Sequence, residues 1–231
     1  MMNARTVAAC AFAMTLVASR IDAQDLSRYR AFELGTGVAA VSALTGVASS
    51  EARTVHQRPV LLQDLDWRPS RWTLGSAGES TDPVERIVFS FYNDRLFLIV
   101  VDYSHDRTEG MTDGDMIDAI AAVYGPGLKP TRRLVGVQSQ LEIESGSPVA
   151  RWTDVKRTVV LYRTSSYGEA YRLIVTDAAV AGLARKGTSQ ALRLDDQEAP
   201  RREIARQKKE RDDARAAAEK ARSGNKGVFR P

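Results

Sequence analysis

Arg86-Ile87-Val88-Phe89-Ser90-Phe91-Tyr92-Asn93-Asp94-Arg95-Leu96-Phe97-Leu98-Ile99-Val100-Val101-Asp102-Tyr103 is the stretch on which the fold turns. Ile87, Phe89 and Phe91 alternate with Val88, Ser90 and Tyr92, a period of two that gives a strand one apolar face. Asn93-Asp94 is a good turn pair, and the run from Leu96 to Val101 is strongly apolar. The stretch predicts an antiparallel hairpin of residues 86–92 and 95–103.

Upstream, Gly37-Val38-Ala39-Ala40-Val41-Ser42-Ala43-Leu44-Thr45-Gly46 predicts a short apolar helix, about 38–44, bounded by glycine. Thr54-Val55-His56 and Val60-Leu61-Leu62 are strand-like around Pro59, which suits a sheet edge. Leu65-Asp66-Trp67 follows, then a loop over 68–83 with Pro69, Gly75, Gly78 and Pro83.

Downstream, the same order recurs. Thr112 with Asp115 three residues on predicts a capped helix to Tyr124, with Met116, Ile117, Ile120 and Val123 or Tyr124 on one face and Gly125 after it. Leu134-Val135-Gly136-Val137 predicts a weak strand, and Ala150-Arg151-Trp152 follows. Residues 157–163 and 169–176 predict a second hairpin around Ser165-Ser166-Tyr167-Gly168, then a short helix near 178–185 ending by Gly187. The offsets between the halves drift: Gly46 to Gly125 is 79 positions and Trp67 to Trp152 is 85. Loops absorb such differences at small entropic cost.

The fold class expected is α+β, with two small helix-plus-antiparallel-meander units, duplicated in tandem, and a charged C-terminal tail. The boundaries drawn are 1–23 for a signal peptide, 24–110 and 111–190 for the two units, and 191–231 for a tail that is partly helical or disordered. The signal peptide is read from Arg5, an uncharged run over 6–18 and the small residue Ala23. That run is too short for a permanent bilayer span, so an exported, periplasmic or extracellular protein with no transmembrane segment is expected. Cys10, the only cysteine, lies within the signal, which leaves the mature chain no disulfide and no thiolate site.

The net charge of +4 is an average of two unlike parts. Residues 200–231 carry 11 basic and 5 acidic residues, a net of +6, so the remainder is mildly acidic at −2. Between Pro200 and Val228 the one large apolar residue is Ile204, so this segment has no stripe to bury. Arg206/Glu210, Lys208/Asp212, Lys209/Asp213 and Arg215/Glu219 stand at i,i+4 spacing, and Gly224 is expected to stop the helix. Arg201, Arg202, Lys208, Lys209 and Arg215 are the candidate surface-binding residues, suited to an anionic layer or an envelope protein. No basic-aromatic pattern for nucleic acid occurs.

The glycine-bounded helix of residues 37–46, the tryptophan strand and Val88-Phe89-Ser90-Phe91-Tyr92-Asn93-Asp94-Arg95-Leu96 resemble the small periplasmic domains of the BamE/SmpA type. A tandem pair resembles the architecture of the β-lactamase inhibitor proteins. The match covers about 35–102 and, more loosely, 112–177. The chain departs from the lipoprotein members in its cleavage region. The resemblance implies a protein-binding or assembly role, by analogy of fold, and carries over no functional residue.

The sequence offers little chemistry. His56 and His105 are its only histidines. His105 with Asp102, Asp106 or Asp113 is the one constellation suited to a metal-dependent or hydrolytic enzyme. Against it, Thr112, Asp113 and Asp115 have a simpler role at a helix N-terminus. No Gly-x-Ser-x-Gly, phosphate loop or dinucleotide fingerprint is present, so no cofactor is expected. The expected function is a non-enzymatic, exported protein-binding or assembly module. An enzyme using His105 and a surface tether using the basic tail are the alternatives.

Overall fold

The computed structural model describes residues 25–69, 82–128, 146–164, 170–228 and 230. The signal peptide with Cys10, most of the 68–83 loop, the 134–137 strand and the 165–168 turn fall outside these residues. In chain order the strands are β1 (Arg28–Tyr29), β2 (Phe32–Glu33), β3 (Arg53–His56), β4 (Leu62–Trp67), β5 (Val84–Tyr92), β6 (Arg95–Tyr103), β7 (Ser147–Thr153), β8 (Arg157–Thr164) and β9 (Ala170–Asp177). The helices are α1 (Val38–Thr45), α2 (His105–Thr108), α3 (Asp113–Tyr124) and α4 (Ala178–Lys226). The fold is mixed α+β, as the patterning predicts.

The predicted hairpin is β5–β6. Asn93 and Asp94 both take positive φ, 47° and 60°, the left-handed pair that a two-residue hairpin turn requires. The Asp94 side chain has a second use. Its Oδ1 accepts from the Val38 N–H at 2.8 Å, so the hairpin turn caps α1 in place of Gly37, which has no side chain to do so. Gly46 closes the other end of α1 at φ 74°, donating its N–H to the Ser42 carbonyl at 2.9 Å. Asp94→Ala is expected to cost about 1 kcal/mol in chemical denaturation, and Asp94→Asn, which keeps an acceptor, to recover most of it. Equal losses in the two variants would refute the capping role.

Seven strands form one antiparallel sheet in the order β3-β4-β5-β6-β9-β8-β7. The two predicted meanders therefore share one sheet, joined where β6 pairs β9. Directly opposed residues lie on the same face, so the registers define rows across the sheet. Trp152, Val159, Val175, Ile99, Phe89 and Leu65 make one core-facing row. Trp67, Ile87, Val101, Leu173, Leu161 and Ala150 make the next. Each row starts at a tryptophan, Trp152 on the edge strand β7 and Trp67 on β4 at the other side, and exchanging them is a local two-fold about the Val100–Ile174 pair.

This face carries the main core. It is covered by Val38 and Val41 of α1, by Met116, Ile120 and Tyr124 of α3, and by Leu26, Tyr29 and Phe32 of the lead-in, residues 25–34 before α1. On α3, Tyr124 is buried while Val123 is 70% exposed, which settles which of the two completes the apolar face. Thr112 and Asp115 form the predicted capping box, with reciprocal hydrogen bonds of 3.2 and 2.8 Å.

The C-terminus departs from expectation. Instead of a short helix followed by a tail, α4 runs unbroken for 49 residues through Gly187, Pro200 and Gly224. Asp177 starts it, accepting from the Ala179 and Val180 N–H groups at 3.1 and 3.0 Å. Val180, Ala184, Gly187 and Ala191 form its buried stripe. Gly187 is there for close approach: a Cβ would lie 2.4 Å from a Val60 methyl. That packing favours glycine inside a helix despite its intrinsic penalty of about 1 kcal/mol.

Candidate functional site

The second face of the sheet holds the candidate site, a groove of about 530 Å³ between the strands and the first turns of α4. Its middle row is Arg151, Val160, Ile174, Val100, Val88 and Asp66. The next row, nearer α4, is Thr158, Thr176, Leu98, Ser90, Asp64 and Arg53. A third row is Tyr162, Arg172, Asp102 and Arg86. Alternation explains this face. Most of these residues have a core residue as a chain neighbour within the strand, and the pleat turns them the other way.

Leu62, Phe97, Val180, Ala181 and Ala184 seal α4 onto one side of this face. Val100, Val160, Tyr162 and Ile174 form a separate apolar patch beside it. The groove runs between these two patches and is rimmed on the helix side by Ala181, Ala184, Arg185, Thr188 and Ser189.

Most charges on this face are committed. Arg172 donates to Asp102 at 2.5 Å, and Arg86 Nε donates to Asp66 at 2.7 Å. The Asp66 carboxylate raises the pKa of the Arg86 guanidinium and so holds it charged. Asp64 accepts from Ser90 at 2.7 Å and from Arg53 at 3.1 Å. Arg151 and Arg185 differ. Both line the groove, and neither has a carboxylate partner among the described residues. Arg151 is half-buried and stands opposite Val160 in β8; its backbone N–H donates to the Leu128 carbonyl at 2.9 Å, and its carbonyl accepts from the Leu128 N–H at 2.8 Å.

The histidine constellation is occupied differently. Asp102 is held by Arg172, and Asp113 accepts from Arg163 Nε at 2.9 Å and from the Tyr171 hydroxyl at 3.1 Å. Asp115 is engaged in the α3 cap, and His105 with Asp106 opens α2. Among the described residues no group of three or more His, Cys, Asp or Glu side chains is placed to hold a metal ion. His56 lies on the edge strand β3, beside a small hollow that it shares with Arg58, Ala191 and Leu194. Tyr29, Tyr103 and Tyr124 have raised pKa values because they are buried, which keeps them neutral.

Of the tail residues singled out from the sequence, Arg201, Arg202, Lys208, Lys209 and Arg215 are all exposed on α4. Arg202 is drawn into a staple with Asp195 at 2.9 Å and Glu198 at 2.8 Å, and Arg58 reaches the same Glu198 at 3.0 Å. Arg202, then Arg58, hold the Glu198 carboxyl down at about 2. This staple, from Asp195 to Arg202, spans the point where the helix leaves the body, since from Ala199 on every α4 residue is exposed. Of the four anticipated i,i+4 pairs, Arg206–Glu210 closes at 2.6 Å, and Arg206 also pairs with Glu203 at 2.8 Å.

The sequence did carry a signal for Arg151. An arginine between Ala150 and Trp152 in a strand must face away from whatever buries them. What it would meet there depended on α4, whose path was not legible. Compared with known proteins, the chain matches no family model, no curated protein and no solved structure.

Proposed function

We propose that this is an exported cell-envelope protein that works by binding, without catalysis, at the groove between the sheet and α4. The observation that carries the proposal is the groove itself: a concave site with an apolar floor, a polar rim and two uncommitted cations, of a size usual for ligand sites. Asp102 and Asp113, two of the three carboxylates grouped with His105, are spent on arginine and tyrosine, which favours binding over the metal-dependent alternative. The helix-plus-meander resemblance supports the same role by analogy alone. Export rests on the layout of residues 1–23, and no helix among the described residues is long and apolar enough to cross a membrane.

The test is site-specific photocrosslinking in the native organism. A crosslinking residue at Thr176, in the groove, is expected to give a saturable adduct. Thr188→Trp, which fills the groove from its helix rim, should abolish it, and crosslinkers at Val123 or Lys220 should not give it. No adduct at Thr176, or equal adducts at all three positions, would refute the proposal.

A second role has its own observation. From Ala199 to Lys226 every α4 residue is exposed, with Arg201, Lys208, Lys209 and Arg215 free of ion pairs among the described residues. Such a rod suits tethering to an anionic layer. Deleting residues 201–231 is expected to abolish salt-sensitive sedimentation with envelopes and to shift the thermal midpoint by no more than about 2 °C, since surface changes of this kind stay within about ±0.5 kcal/mol.

A further inference from the structure

We infer that the groove takes a single-chain amphipathic carboxylate, its alkyl chain lying on Val160, Ile174 and Leu98 and its head group held by Arg151 and Arg185. This deepens the binding proposal and rests on it. The argument is one of charge and shape. Arg151 is half-buried at an end of the apolar middle row, and Arg185, exposed on α4, lines the same groove. A guanidinium drawn partly out of water is best satisfied by a planar anion that takes two parallel N–H donors, and a carboxylate matches that fork.

The carboxylates already on this face cannot supply it. Asp64, Asp66 and Asp102 are each engaged by another arginine. An intramolecular counter-ion is thus missing among the described residues, and the incoming ligand provides it. The floor sets the rest of the ligand. Val160 and Ile174 lie side by side in neighbouring strands, with Leu98 one row away, and offer no hydrogen-bonding side chain. Thr158 and Thr176 continue the Leu98 row, where their hydroxyls can serve a bound head group. A volume of about 530 Å³ suits one medium-length chain, and a folded partner would meet only the rim.

The experiment is calorimetric titration of the full chain with decanoate, octanoate, acetate and decanol, each below its aggregation limit. Decanoate is expected to bind once per chain. Shortening to octanoate should weaken binding several-fold per methylene removed, up to about fourfold if burial is complete. Acetate should not saturate, and decanol should bind at least tenfold more weakly than decanoate. Arg151→Gln with Arg185→Gln should weaken decanoate at least tenfold and leave decanol unchanged. Equal binding of decanoate and decanol, or an unaffected double variant, overturns the inference. Should the double variant not fold, the decanoate–decanol comparison on the unaltered chain decides alone. Absence of decanoate binding with a persisting Thr176 adduct removes this ligand class and leaves the binding proposal standing. Loss of both removes both.

Discussion

Phe89→Ala is expected to lower stability by about 3–5 kcal/mol, the range for deleting a fully buried aromatic ring. For a domain of this size that corresponds to a drop of roughly 6–20 °C in the thermal midpoint. Phe89 is wholly buried in β5, between Leu65 on one neighbouring strand and Ile99 on the other. Its ring packs on Phe32 of the lead-in at 4.6 Å between centroids. The cavity would open where the sheet meets both the lead-in and the main core, so collapse from one side cannot fill it. The check is thermal or urea unfolding followed by circular dichroism. A loss under about 1 kcal/mol would show that the β5 face is not the centre of the core.

Trp152→Ala should cost nearly as much, about 3–5 kcal/mol, whereas Trp67→Ala should cost about half that. The two tryptophans occupy equivalent places in the two rows, so the register alone would predict equal effects. Their surroundings differ. Trp152 is 3% exposed, donates its indole N–H to the Gly125 carbonyl at 2.7 Å and lies near Tyr124 at 6.4 Å. A Cβ on Gly127 would come within 2.7 Å of the indole, so the chain after α3 closes directly over the ring. Trp67 is only half-buried and meets Phe32 edge-on at 5.6 Å. Trp152→Phe should separate the terms by removing the N–H bond and keeping most of the ring, at roughly 1–2 kcal/mol. Equal losses for the two alanine variants would mean that the pseudo-symmetric rows, and not the covering segments, set the energetics.

The local elements were legible where their signal is local. The β5–β6 hairpin, the α3 capping box and the glycine end of α1 follow from alternation, side-chain capping and backbone freedom over a few residues. The length of α4 was not legible. Gly187, Pro200 and Gly224 each carry a helix-breaking signal, and the sequence weighs them singly. In the folded chain Gly187 is required against Val60, and the Arg202 staple with Asp195 and Glu198 spans Pro200. At Gly187 close packing offsets the intrinsic glycine penalty of about 1 kcal/mol. The exposed ion pairs around Pro200 are worth too little to offset a proline penalty of about 3 kcal/mol, and nothing in the structure explains the passage through Pro200 or Gly224. The candidate site was legible only as Arg151 facing away from Ala150 and Trp152. The tail cations stood out because composition is visible without a fold.

By itself the sequence determined the class of the fold, the two meanders, the split of charge between body and tail, and the lack of a recognisable catalytic motif. These depend on periodicity and composition, which need no partner. The tertiary structure decided that the two meanders share one sheet, that their tryptophans head opposite rows and that α4 crosses the second face. It alone decided which arginines are spent on carboxylates and which are left in the groove. The physical reason is that a strand's alternation fixes two faces but not what covers either. An ion pair between strands far apart in sequence, such as Arg172 with Asp102, exists only once the register has been set.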